Sequence, residues 1–178
     1  MKKYVFRRYS SEYQKFYKLE KMRLRKVLKS AKIEHVGSTA LAGLGGKGIL
    51  DILIGVPKNK IRKIKEKLED AGYEFRKSAG TPDRLFFRKD YSYKKSKRRV
   101  HLHLTAVNSK DWKDLISFRD YLKRHPEAVQ QYEHIKKEAV RKAHGEGEIY
   151  RKHKQKFIKY ILNRSKMPLQ KPGTRHIC

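Results

Sequence analysis

The sequence predicts a mixed α/β domain of the α+β kind with a helical C-terminal half, and three observations carry that prediction. Residues 49–56, ILDILIGV, are almost uninterrupted apolar residues, the pattern of a strand covered on both faces. Shorter strand-like segments lie on either side, with a helical stripe (Ile61, Ile64, Leu68, Ala71) among them. From Asp111 onward apolar residues recur at helical spacing, beginning with Trp112, Leu115, Phe118 and Leu122.

The elements follow in order. Ser10 and Ser11 can cap a helix starting near Glu12, whose stripe includes Tyr13, Phe16, Tyr17, Leu24, Val27 and Leu28. KIEHVG reads as a short strand ended by glycine, and ILDILIGV as the buried strand. Gly72 is placed to terminate the helix that carries Ile61 and Leu68. YEFRK, RLFFRKD and VHLHLTAV read as strands, SAGTPD as a loop and YSYKKSKRR as an exposed turn. The turn would make Lys94, Lys95, Lys97, Arg98 and Arg99 the densest positive spot of the chain. His125-Pro126 breaks the helical half, proline being suited to a first helical turn. Gly145 and Gly147 interrupt it again before a last helix with Tyr150, Phe157, Ile158 and Ile161. The expected organisation is one domain over residues 1–165 and a flexible tail over 166–178.

Composition bounds the partners. Lys and Arg number 47 against 18 Asp and Glu, a formal charge of +29. That excess points to polyanions such as nucleotides or nucleic acid, or else to charge spread over solvated helix faces. The mean hydropathy is −0.89, and the 11% of aromatic residues still allows a packed core. The only cysteine is Cys178, so no internal disulfide or cysteine-based zinc site can form. With no apolar leader at the N-terminus, a reducing, cytoplasmic setting is expected. No stretch approaches the ~20 apolar residues of a membrane span, so no membrane partner is expected.

Several residues could carry chemistry. Gly37-Ser38-Thr39 ends a strand, and such a turn can offer backbone N–H groups to a phosphate or simply be a turn. Lys47 could add a charge to it, although the residue order is not that of a P-loop. Asp51 interrupts the buried strand, where a lone carboxylate must pair with a base such as Lys47 or bind a metal. His101 and His103 alternate on VHLHL and share a strand face, as metal ligands or a general base. Glu34 and His35 face opposite ways, so only one of them can share a cleft with Asp51. Arg84 and Arg88 flank LFF and could grip a phosphate or line a solvated face. His125, His134, His144 and His153 read as surface residues.

The stretch IEHVGSTALAGLGGKGILDILIGV closely resembles the signature of the GrpB family, a branch of the nucleotidyltransferase superfamily. The likeness continues through AGYEF, RLFF, HLHLTAV, FRDYLKRHPEAVQQYEHIKKEAV and YRKHKQKFI, covering roughly residues 10 to 165. The resemblance implies a nucleotidyltransferase-like fold, a small mixed β-sheet flanked by helices, with a cleft beside the Gly-Ser turn. In that superfamily the turn binds a triphosphate, and acids on two strands hold two divalent cations. By position, Gly37 and Ser38 match the turn and Asp51 the first acid. Leu53 stands where the second acid belongs, and His101 or His103 where the third does.

The implied activity is metal-dependent transfer from a nucleoside triphosphate to an unknown acceptor. Asp51 and His103 would be catalytic, and Gly37, Ser38, Thr39, Lys47, Arg84 and Arg88 would bind the nucleotide. Asp51, His101, His103 and Glu34 would hold a divalent metal, Mg²⁺ or Mn²⁺, or Zn²⁺ given the imidazoles. The alternative is a degenerate fold that binds RNA through its basic surface without catalysis.

Overall fold

A computed structural model describes residues 6–93 and 96–166. Five helices surround one five-stranded sheet. Helix α1 is Glu12–Val27, and the Ser10 hydroxyl accepts a hydrogen bond from the Glu12 N–H at its start. Strands β1 (Lys32–Val36) and β2 (Ile49–Val56) follow, then α2 (Ile61–Asp70). Next come β3 (Glu74–Phe75), β4 (Arg84–Tyr93) and β5 (Ser96–Ala106). Helices α3 (Lys110–Arg124), α4 (Pro126–Ala143) and α5 (Gly147–Ser165) complete the chain. This order of helices and strands is the one the sequence predicts.

The sheet order is β1-β2-β5-β4-β3, and only the β2–β5 pair is parallel. That pair lies at the centre, which is why β2 is an apolar run rather than an alternation: every residue from Ile52 to Val56 is buried. Leu50, Ile52 and Ile54 pack on Phe16, Leu24 and Leu68 from α1 and α2. Leu53 faces the other way, with Val36 and Trp112 of α3. A second apolar cluster joins Leu41 and Leu44, just after β1, to Leu122, Tyr132, Phe157 and Ile161. This clamps the helical half beside the Gly-Ser turn. Removing a ring as enclosed as Phe87 would cost about 3–5 kcal/mol.

Two expectations are corrected. YSYKKSKRR is not an open turn: β4 runs to Tyr93 and β5 starts at Ser96, with Tyr91 paired to Arg98 and Ser92 to Lys97. Alternating aromatic and hydroxyl residues suit a pleated ribbon despite the charge. Arg99 binds Asp90 through both Nε and Nη2, and Arg98 donates to the Tyr13 hydroxyl. Lys94, Lys95 and the expected tail beyond Lys166 lie outside the described residues. Gly147, read as a break, opens α5; the break itself is His144-Gly145, both with positive φ. Among the described residues no helix is long and apolar enough to cross a membrane.

Candidate phosphate-binding site

The site forms where β1 ends and the helical half meets the sheet. Gly37 has φ +71°, and a Cβ there would lie 2.5 Å from Asp51 Oδ2. Glycine is therefore required both by the backbone and by the carboxylate packed against it. A single 3-10 turn, Ser38–Ala40, follows. The Thr39 hydroxyl donates to the Ile49 carbonyl and meets His35 Nε2 at 3.0 Å, so it braces the turn instead of facing the cleft. Burial lowers the His35 imidazole to about 4, which leaves it neutral, and it stacks on Tyr17.

Asp51 sits opposite Val36 on β1 and His101 on β5. His101 Nδ1 lies 3.3 Å and His103 Nε2 3.5 Å from the same Asp51 Oδ1. Burial alone would raise the Asp51 carboxyl; hydrogen bonds from His101 and His103 outweigh it and hold the group well below the usual range. His103 is pushed down by burial, and its Nδ1 is buried with no hydrogen-bond partner. Phe86 stands edge-on to both imidazoles.

Other expected residues are drawn elsewhere. Glu34, not His35, shares the Asp51 face, but its carboxylate pairs with Arg119 of α3 at 2.8 Å. Arg88 is held by Glu74 at 2.8 Å, and Arg84 leans toward Asp111 at 3.9 Å. Arg88 is thus matched to a carboxylate, whereas the Arg84 Nε is buried without a hydrogen-bond partner and its charge acts on His103. His134, His144 and His153 are exposed as predicted, while His125 is half-buried and stacked on Tyr121.

Sequence reasoning named Lys47 but missed Lys136 and Lys154. Lys136 of α4 is 1% exposed and donates to the Ser38 hydroxyl and the Gly45 carbonyl. A Cβ at Gly46 would lie 2.6 Å from its ammonium, so that glycine leaves room for it. Lys47 and Lys154 of α5 approach the Tyr150 ring at 4.0 and 4.3 Å. Burial, and then the neighbouring Lys154, lower Lys47 and Lys136 to about 7. Burial lowers Lys154 to about 8, opposed by the field of Asp51. The signal was present: Lys136 interrupts the buried stripe Ala128, Tyr132, Ala139, Ala143, and Lys154 the stripe Tyr150, Phe157, Ile161.

A divalent metal fits this donor set poorly. A two-ion site needs carboxylates on both sides of each ion, and here Leu53 fills the second acid's place, fully buried. Glu34 is committed to Arg119. Among the described residues no group of three or more His, Cys, Asp or Glu side chains is arranged to hold a metal ion. The expected set of Asp51, His101, His103 and Glu34 is therefore not assembled as a metal centre.

Comparison with known proteins accounts for this architecture. The sequence profile of the family described as "GrpB protein" matches residues 4–164. The glutamate-rich protein GrpB of Alkalihalophilus pseudofirmus is 33% identical over 133 residues, which are 74% of this chain and 76% of that one. A UPF0157 protein of Pseudomonas aeruginosa is also 33% identical, over 75% of this chain but 54% of its own length. The crystal structure of GrpB from Enterococcus faecalis superposes with a TM-score of 0.76 at 26% identity, covering 90% of this chain and 96% of that chain. The GLD-2/RNP-8 complex matches with a TM-score of 0.52 at 12% identity, over 87% of this chain and 58% of that one. A structure of Cid1, titled for its RNA terminal uridylyl transferase activity, matches with a TM-score of 0.50 at 13% identity, over 72% and 40%. These two share the nucleotidyltransferase fold, and at such identity the fold is all the likeness shows. The chain belongs to the GrpB family.

Proposed function

We propose that this protein binds a nucleoside triphosphate in the cleft between the Gly-Ser turn and helices α4 and α5, and transfers its nucleotidyl group to an acceptor. The observation that carries the reading is that Lys136 donates to the Ser38 hydroxyl while Lys47 and Lys154 meet at the Tyr150 ring, all three within the field of Asp51. Three ammonium groups beside one carboxylate make a surplus of buried positive charge that a polyphosphate would neutralise. In the reaction an acceptor hydroxyl oxygen bonds to the α-phosphorus, the bond to the α,β-bridging oxygen breaks, and pyrophosphate leaves. The hydroxyl proton passes to water. The lysines hold the β- and γ-phosphates and then the pyrophosphate, stabilising charge on the leaving group. Asp51, fixed by its two imidazoles and by Gly37, sets the wall against which the α-phosphate would lie.

The test is calorimetric titration with ATP, GTP, CTP and UTP, followed by assay of pyrophosphate release with candidate acceptors. Binding of at least one nucleotide, lost in Lys154→Ala and in Gly37→Ala, is the expected result. A folded protein that binds none of the four contradicts the reading.

One observation favours a second reading, in which RNA is bound, either as the acceptor or without catalysis. A depression of about 460 Å³ along α5 is bordered by Arg151, Lys154, Gln155, Ile158 and Lys159, and by Glu148, which pairs with Lys152. Lys154 belongs both to it and to the inner cluster, so a phosphodiester backbone could run along α5 to the cleft. Steep loss of RNA affinity with salt, with no nucleotide binding, would support the non-catalytic form.

A further inference from the structure

The site differs from a two-cation nucleotidyl site in the sign of its charge. Its one carboxylate already accepts hydrogen bonds from two imidazoles. The second acid's place is apolar, and the nearby Glu34 is neutralised by Arg119. Against that single negative charge stand the ammonium groups of Lys47, Lys136 and Lys154, with Arg151 close enough to lower two of them further. A divalent cation entering such a field is repelled, whereas a phosphate is attracted. Lys136 is decisive. It reaches the cleft from inside the helical bundle, and among the described residues no carboxylate lies within ion-pair distance of it. The mobile stem of a lysine delivers a point charge with several donor protons, suited to a phosphate oxygen whose exact position varies.

From this geometry we infer that Lys47, Lys136 and Lys154 take the place of divalent cations, so that the site binds a pyrophosphate or triphosphate group free of metal. This rests on the phosphate-site reading above and narrows it: the ligand class is a metal-free polyphosphate, alone or as the tail of a nucleotide. The lysines come from three separate elements, the loop after the turn, α4 and α5, and Lys47 and Lys154 meet at the Tyr150 ring. Ser38 accepts from Lys136, and Gly46 lacks a side chain because one there would collide with the Lys136 ammonium and the Ser38 hydroxyl. The pKa of Lys136, lowered by burial to about 7, agrees with an ammonium group held by a hydroxyl and a carbonyl rather than by a carboxylate.

The experiment titrates the full chain with inorganic pyrophosphate and with ATP, first in EDTA and then in excess Mg²⁺ or Mn²⁺. Expected is binding in EDTA, with affinity within about threefold of that measured with the cation, a difference under 1 kcal/mol. Lys154→Ala and Lys136→Met should each weaken it by about tenfold or more, the loss of one charge-assisted contact. Lys156→Ala, exposed on α5, should leave it unchanged. Lys154 is half-exposed, so its variant serves as the test should Lys136→Met fail to fold. Binding that appears only with Mg²⁺ or Mn²⁺ overturns the inference while leaving the nucleotide reading standing. Binding in EDTA that ignores Lys154→Ala places the ligand elsewhere and also overturns it. No binding under either condition removes both.

Discussion

Two buried ionisable side chains, one on each side of the sheet, are handled in opposite ways. Glu20 of α1 is fully buried, on a stripe with Tyr13, Phe16 and Leu24. Its Oε1 accepts hydrogen bonds from the Tyr73 and Tyr91 hydroxyls, and its Oε2 pairs with Arg23 at 3.0 Å. Burial and the Glu20 charge push the Tyr73 hydroxyl far up, so it stays a donor. That network is closed: each carboxylate oxygen has a partner. Lys136, buried to the same degree, has one hydroxyl and one carbonyl, and its charged neighbours include Lys47 and Lys154. Buried charge completed by its own chain is architecture. Buried charge left in surplus is stability set aside for a ligand.

The comparison can be broken by substitution. The largest effect should come from Glu20→Ala, which removes the acceptor of the buried Tyr73 hydroxyl and of Tyr91 and opens a cavity. A loss of about 3 kcal/mol in urea unfolding is expected, with polyphosphate affinity of the folded protein unchanged. Lys136→Met should reverse both parts: stability within about 1 kcal/mol of the parent, because a flexible apolar chain replaces an uncompensated charge, and affinity down by about tenfold or more. If Lys136→Met destabilises as much as Glu20→Ala, the two sites are alike and the contrast fails. Gly37→Ala lies between them. Strain at positive φ and collision with Asp51 should cost about 1–3 kcal/mol and displace the carboxylate, detectable as a changed His101 and His103 imidazole NMR signal.

The smallest effect is a pH dependence. Lys47 and Lys136 fall to about 7 in the folded chain against an ordinary value of 10.5. Between those values the unfolded chain binds more protons, so their contribution to stability rises with pH. Polyphosphate binding needs the protonated form and should weaken over the same range. Asp51 and Glu133 oppose the shift at Lys136, while Lys154 and Lys47 add to it. Parent and Lys136→Met unfolding compared at pH 6 and 9 should show the parent gaining relative to the variant, and a constant difference would contradict the assignment.

Much of the fold was legible because its signals are local. The nearly continuous apolar run of β2 announced a central strand, and Gly72 at φ +80° ended α2 where expected. That His101 and His103 share a face was legible by alternation, and their place beside Asp51 came from the family resemblance. What was not legible depended on contacts between distant segments. Glu34 is claimed by Arg119, and Arg88 by Glu74, partners that spacing cannot reveal. Lys136 and Lys154 disappeared among 47 basic residues, although each breaks an apolar helical stripe as Asp51 breaks an apolar strand. A charge on an apolar stripe is informative even in a highly charged chain, because burial and not abundance makes it costly.

The most direct measurement follows the lysines themselves. With ¹³Cε-labelled lysine and assignment by single substitutions, NMR spectra recorded during addition of pyrophosphate in EDTA report each ammonium. The account predicts that Lys47, Lys136 and Lys154 shift together and that their pKa values rise toward the ordinary lysine range as the ligand fills the site. Shifts confined to exposed lysines such as Lys152 and Lys159, with the Lys47, Lys136 and Lys154 signals unmoved, would contradict it.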